Sequence, residues 1–317
     1  MSDGPLWICG ASGLVGSAIA RLARARGRAA LTPSRSDLDL MDGGAVQRWV
    51  ASHRPGAVVV AAAKVGGIRA NNAFRYDFIL SNLMIAGNVI EACRLAGTPR
   101  LVFLGSSCIY PRDCPQPMRE EHLLSGALEQ TNEPYAVAKI AGLKLVESCN
   151  RQYGTRWISA MPTNLYGPGD NYHAEDSHVL PALLRRFHEA AAAGHAPVTV
   201  WGSGSARREF LHSDDAAAGI LHLLDHGQPG TTPNDCFNLG SGQEVTIAEL
   251  ATRIQQVTGH RGELRWDRSK PDGTPRKLLD SSRLSALGWT PGLSLAEGLA
   301  SAYGDFRARL AAGTLRI

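Results

Sequence analysis

Tyr135 and Lys139 stand one helical turn apart in EPYAVAKIAG, so both side chains leave the same face of a helix expected to begin near Pro134. The spacing gives a phenol a cation. A phenol with a pKa near ~10 is a poor acid or base at neutral pH, and a nearby ammonium favours its ionised form and brings proton transfer within range. YxxxK alone recurs by accident. Ser106, in LGSSCIYP directly after an expected strand, gives the pair its weight, because residues at the carboxyl ends of parallel strands face the ligand crevice of an open α/β sheet. A hydroxyl there can hydrogen-bond a reacting oxygen opposite Tyr135.

A second constellation binds rather than reacts. Gly10, Gly13 and Gly16 lie in GASGLVG, between the first expected strand and the first expected helix, where missing side chains let the backbone approach a pyrophosphate at the helix N-terminus. At the end of the second strand, an NAD site would place an acidic residue on the ribose hydroxyls. Here the chain runs Thr32, Pro33, Ser34, Arg35, and a guanidinium pairs instead with a 2′-phosphate. NADP is therefore expected over NAD. Asp37 and Asp39 follow closely and define the alternative, a solvated surface arginine.

These residues need a scaffold, and the apolar pattern supplies one. Short apolar runs at 6–9, 29–32, 57–61, 100–104 and 157–161 read as buried strands, with helices between them at 14–26, 44–53, 73–96 and 134–153. Strict alternation implies right-handed crossovers and an α/β fold with a doubly wound parallel sheet, a Rossmann architecture. Beyond Tyr166 the pattern loosens into a helix at 179–193, a strand at 198–201 and further helices near Asp214, Ile247 and Ser294. The expected organisation is a dinucleotide-binding domain over 1–166, with a return segment near 208–240 that crosses back to the sheet around 236–239, and a smaller substrate domain over 167–317.

Composition bounds the rest. The 317 residues are 44% apolar and 20% charged, enough to bury a sizeable core and unlike disordered or collagen-like chains. A net charge of +4, spread without a basic run, does not advertise a nucleic-acid surface and suits an anionic small molecule. Six cysteines without CxxC or paired ligand spacing indicate neither disulfides nor a metal site. No signal-peptide pattern opens the chain and no window approaches the ~18 apolar residues of a membrane span, so a cytoplasmic location is expected. Lys144 reads as a solvated helix residue, and Glu120, Glu121 and Glu133 as loop and cap residues.

The glycine fingerprint, the serine, the YxxxK pair and the length together resemble the extended short-chain dehydrogenase/reductase family. Longer strings narrow the resemblance to its members that act on GDP-4-keto sugars. They are AAAKVGGI at 61–68, Asn71 and Asn72, FLGSSCIYP at 103–111, NEPYAVAKIAG at 132–142 and MPTNLYGP at 161–168, then SHVLPALLRRFHEA at 177–190, WGSG at 201–204, REFLH at 208–212 and KPDGTPRKLLD at 270–280. The match is looser over the first thirty residues and at 227–232.

The resemblance implies epimerisation at both carbons flanking the ketone of GDP-4-keto-6-deoxy-D-mannose, then reduction of that ketone by NADPH to GDP-L-fucose. It implies Ser106, Tyr135 and Lys139 at the carbonyl oxygen, with Cys108 and His178 as the epimerisation pair. It places the cofactor on Gly10, Ala11, Ser12, Gly13, Leu14, Val15 and Gly16, on Arg35, Lys139 and His178, and on Pro162, Thr163, Asn164 and Leu165. Arg186 and Arg208 would meet the substrate pyrophosphate, Trp201 the guanine face and Asp272 the ribose or base. It further implies a homodimer. Two other readings stay open: a sibling enzyme using another GDP-4-keto sugar, and a non-catalytic dinucleotide binder, which predicts loss of Tyr135, Lys139 or Ser106. All three are present.

Overall fold

The computed structural model describes residues 4–174, 176–270 and 272–317. The first half runs β1 (Leu6–Cys9), α1 (Leu14–Ala25), β2 (Ala30–Leu31), α2 (Gly43–His53), β3 (Ala57–Val60), α3 (Ile68–Ala73), α4 (Arg75–Leu95), β4 (Arg100–Leu104), α5 (Glu133–Tyr153) and β5 (Ile158–Pro162). The second runs β6 (Asn164–Tyr166), α6 (Val179–Ala192), β7 (Val198–Trp201), β8 (Arg207–His212), α7 (Ser213–His226), β9 (Cys236–Leu239), β10 (Glu244–Thr246), α8 (Ile247–Thr258), β11 (Leu264–Asp267), β12 (Arg276–Lys277), α9 (Ser282–Ala286) and α10 (Leu295–Ala311).

Six strands form one parallel sheet in the order β2-β1-β3-β4-β5-β9. Both faces are covered, which is why its inner strands read as unbroken apolar runs. Leu6, Ile8 and Val59 pack under α1 and α7, while Trp7, Val58 and Val60 pack under α2 and α4, as the period-two alternation of strand side chains requires. The order reverses between β1 and β3, so the ligand crevice opens at the carboxyl ends of those strands. As expected, the segment at 236–239 returns to this sheet and pairs with β5.

A second core lies between α6, α8 and α10, with Leu183, Phe187, Leu250, Ile254 and Phe306 at its centre. Thr246 and Ser294 start α8 and α10 with reciprocal capping boxes to Glu249 and Glu297. A small sheet, β10-β8-β12, with β6 also on β8, joins this core to the crevice. The alternation of apolar runs does not reveal that sheet, because its strands are short and carry charges.

Four other differences concern one helical segment and two charged side chains. The helix expected over 73–96 is broken at Phe74, whose φ of −113° and ψ of 42° separate α3 from α4. Helix α4 is long and apolar enough to cross a membrane, contrary to the reading from the sequence, yet Phe78, Asn82, Ala86, Val89, Ile90, Ala92 and Cys93 are buried inside the fold. Glu120 is not a solvated loop residue: it is 2% exposed and accepts from the Asn238 N–H at 2.9 Å and from Arg283 at 2.7 Å. Lys144 likewise is tied down, donating to Glu147 at 2.7 Å and Asn234 at 2.6 Å.

Candidate active site

The turn after β1 is shaped for a closely approaching ligand. Gly10 has a φ of +81°, and a Cβ there would stand 2.8 Å from the Ala62 backbone at the exit of β3. A Cβ on Gly16 would collide with the Gly10 carbonyl. Gly13 caps α1 without a side chain, so the first-turn amides of Leu14, Val15 and Gly16 face the crevice mouth together with Ala11 and Ser12. Arg35 is exposed beyond β2. The two acids that follow are engaged elsewhere: Asp37 accepts from the Ser34 hydroxyl at 2.7 Å and N–H at 2.9 Å, which lowers its pKa, and Asp39 accepts from the Met41 N–H at 3.0 Å.

Ser106 follows β4 in extended conformation, and its Oγ accepts from the Cys108 N–H at 3.2 Å. The Tyr135 hydroxyl lies near that serine, which favours its ionised form. Lys139 is 4% exposed, donates to the Leu104 carbonyl at 2.8 Å and lies 5.8 Å from the centre of the Tyr135 ring. Strand end and helix thus bring the three predicted groups together. The electrostatics differ from the expectation of a phenolate. Burial first, and the neighbouring Cys108 second, raise the Tyr135 pKa, with nearby Ser106 opposing them, and burial lowers Lys139 to about 8. The phenol is held protonated, the state in which it can give a proton to a ketone oxygen.

Cys108 stands at the same strand end and lines a shallow hollow with Tyr110, Met118, Arg276 and Lys277. Among six unpaired cysteines it alone is not buried. His178 immediately precedes α6, and desolvation lowers its pKa below the ordinary imidazole value. At neutral pH the ring is therefore uncharged and able to accept a proton.

The residues from Pro162 to Leu165 cross from β5 to β6 at the crevice rim. The Thr163 N–H donates to Leu239 at 3.0 Å and the Asn164 amide to the Glu209 carbonyl at 2.8 Å. Glu209 itself, fully buried, accepts from the N–H groups of Gly242 at 2.7 Å and Leu279 at 3.1 Å. It holds three segments around the rim, a role its place in a charged string does not announce.

Across the crevice, Trp201 is 62% exposed with the Lys270 ammonium 5.7 Å from its ring centre. Asp272 accepts from the Ser203 N–H at 2.7 Å and hydroxyl at 2.8 Å, bonds that lower its pKa. Arg208 is half-buried, its pKa lowered by burial and supported by the charge of Asp272. Lys277 is the register partner of Arg208 and adds a cation that the sequence reading did not single out. Arg186 lies on α6 and uses one N–H on the Thr199 carbonyl at 3.3 Å, whereas Arg185 is committed to Glu189 and the Tyr172 carbonyl. Among the described residues no cluster of His, Cys, Asp or Glu could hold a metal ion.

A parallel α/β sheet with a glycine turn and a Ser/Tyr/Lys crevice defines a nucleotide-dependent epimerase or reductase. Residues 6–240 match the model of the NAD dependent epimerase/dehydratase family, and the chain belongs to that family. It is 53% identical over 309 residues to the GDP-L-fucose synthase of Escherichia coli (strain K12), covering 96% of each chain. With GDP-L-fucose synthase 1 of Arabidopsis thaliana it shares 52% over 306 residues, 96% of this chain and 94% of that one. Among solved structures, a GDP-L-fucose synthetase from Naegleria fowleri bound to NADP superposes with a TM-score of 0.89 at 25% identity, over 100% of this chain and 97% of that one.

Proposed function

We propose that the chain is an NADPH-dependent epimerase/reductase that converts GDP-4-keto-6-deoxy-D-mannose to GDP-L-fucose. One observation carries the reading: Ser106, Tyr135 and Cys108 meet at the end of β4, so a ketone oxygen and a carbon beside it can be served from one place. The names of the relatives supply the product.

The ketone acidifies the C–H bonds on both its neighbours. Cys108 and His178 exchange those protons, one from each face of the sugar, while Ser106 and Tyr135 stabilise the enolate oxygen. After the inversions Tyr135 gives its proton to the ketone oxygen, and the Lys139 ammonium offsets the charge left on the phenol. When bound, the reduced nicotinamide supplies the hydride. The glycine turn would hold its pyrophosphate and Arg35 its 2′-phosphate, and Lys139, His178 and the 162–165 segment would hold the rest of it. Arg186 and Arg208 take the substrate pyrophosphate, Trp201 stacks on guanine, and Asp272 accepts from ribose or base.

The test is NADPH consumption with the candidate ketone in deuterated buffer. GDP-L-fucose carrying deuterium at both flanking carbons is expected. Reduction without deuterium would overturn the epimerase half, and a faster reaction with another GDP-4-keto sugar would move the assignment to that sibling.

The outward residues Leu80, Leu83 and Met84 of α4 and Val137 and Leu145 of α5 are exposed, a patch suited to a second copy of the chain. Light scattering should give twice the 33.9 kDa chain mass, and Leu83→Glu should return the monomer. The unpaired thiols support a reducing, cytoplasmic setting, and the reaction calls on no nucleic acid or membrane.

A further inference from the structure

The turn between β3 and α3 touches both halves of the proposed site through two adjacent glycines. A Cβ on Gly66 would stand 3.2 Å from the Phe78 ring and 3.0 Å from the Ala70 methyl. That ring lies edge-on to Tyr135, 6.4 Å between centres. Gly67 faces the other way. Its N–H donates to the Asp176 carbonyl at 2.9 Å, and a Cβ would stand 3.0 Å from the Ser177 carbonyl oxygen, immediately before His178.

Neither glycine sits in the left-handed region, and Gly67 has a φ of −65° that any residue adopts. Steric room, not backbone freedom, is what a side chain would consume there. Asn71 fastens the pair: it is 6% exposed, and its amide donates to the Gly66 carbonyl at 2.7 Å and the Gly67 carbonyl at 3.1 Å. The Phe78 side has a second anchor, because the Asn82 amide donates to Lys64 at 3.0 Å and Phe78 at 2.7 Å. The Asp176 side is joined to the turn by the Gly67 N–H and an Arg69 contact of 3.6 Å.

Resting on the functional reading above, we propose that Gly66, Gly67 and Asn71 are positioning residues that set the two halves of the active site separately: Gly66 fixes the wall behind Tyr135, and Gly67 fixes the segment presenting His178. None of the three needs to touch a reacting atom. Proton transfer depends on heavy-atom spacing within a few tenths of an ångström, which is the displacement a methyl group would force at either contact.

Two half-reactions separate the effects. Exchange of the C–H protons beside the ketone with solvent deuterium needs no hydride, and oxidation of GDP-L-fucose by NADP⁺ needs no inversion. Gly67→Ala should lower exchange about tenfold and leave oxidation within about twofold, a fraction of the loss that a full 1 Å misplacement brings. Gly66→Ala should lower oxidation about tenfold and exchange by less, because Tyr135 also steadies the enolate through which exchange passes. Asn71→Ala, which adds no atoms, should lower exchange more than oxidation because Asn82 still holds Phe78. Equal losses in both half-reactions, or none, in folded glycine variants with intact NADPH binding would overturn the inference. Should a glycine variant not fold, Asn71→Ala decides by the same split, equal losses again overturning it. A wild type that exchanges no deuterium would sink the functional reading itself, so the two failures are distinguishable.

Discussion

Ser106, Tyr135 and Lys139 come from one strand end and one helix that pack directly on each other, whereas Cys108 follows β4 and His178 precedes α6 in the other half of the chain. The first set is fixed by elements that any stable version of this fold must form. The second depends on β4 on one side and, on the other, on a segment tethered to the α3 turn. Groups at the carbonyl oxygen should therefore tolerate perturbation far from the site better than groups at the flanking carbons. Chemistry that needs two faces of a sugar has to draw on two walls.

The sharpest way to break that contrast is Tyr135→Phe. Ketone reduction should fall by ~10² to 10⁴, the usual worth of general acid catalysis, with NADPH binding nearly unchanged. Stopped-flow turnover near the wild-type value would remove Tyr135 from the mechanism. Cys108→Ser exchanges a thiol of pKa near ~8.5 for a hydroxyl too weakly acidic to serve at neutral pH, so deuterium exchange should drop by about 10² or more while GDP-L-fucose oxidation survives. His178→Asn should incorporate deuterium without completing inversion, read by the stereochemistry of the product. Doubly inverted product at wild-type rate from both variants would place the epimerisation pair elsewhere.

Arg35→Ala probes the cofactor end. Loss of a charge-assisted contact to the 2′-phosphate should weaken NADPH by about 1.5 to 3 kcal/mol and leave NADH almost untouched. An unchanged ratio of kcat/KM for the two cofactors would make Arg35 a surface residue.

A further expected effect is one of stability. Burial lowers Lys139 to about 8, below its unfolded value, so at neutral pH the folded chain carries a penalty for keeping that ammonium charged. Between the two pKa values the unfolded chain binds more protons, and wild-type stability should rise with pH. Lys139→Met should be inactive yet more stable at pH 7 by up to about 3 kcal/mol, with the gap closing from pH ~8 to ~10. Urea melts at several pH values would show it; a parallel pH dependence in both proteins would mean the lysine is not strained.

Much of the scaffold was legible because parallel strands buried on both faces announce themselves as apolar runs. The expected strands at 6–9 and 100–104 coincide with β1 and β4. On the substrate side β7 was legible at 198–201, but β8 was not, since it carries Arg207, Arg208 and Glu209, and a buried carboxylate satisfied by distant N–H groups leaves no periodic trace. Glu120 and Lys144 were misread for the same reason: their partners, Arg283 and Asn234, lie far along the chain. Site residues were readable where spacing encodes geometry, as in YxxxK. Gly66 and Gly67 were visible only as letters in a string, because what matters about them is what stands opposite.

The position of β9 has a consequence for synthesis. The sheet that cradles the glycine turn is sealed by residues 236–239, and Leu284 and Trp289 pack into the same core. A ribosome adding roughly 5–20 residues per second therefore releases β5 several seconds before the strand that covers its edge. During that interval the nascent sheet presents unpaired N–H and C=O groups along an apolar strand, an invitation to pair with a neighbouring chain. Slowing translation between β5 and β9 should cost yield of soluble enzyme, whereas slowing it after Trp289 should not.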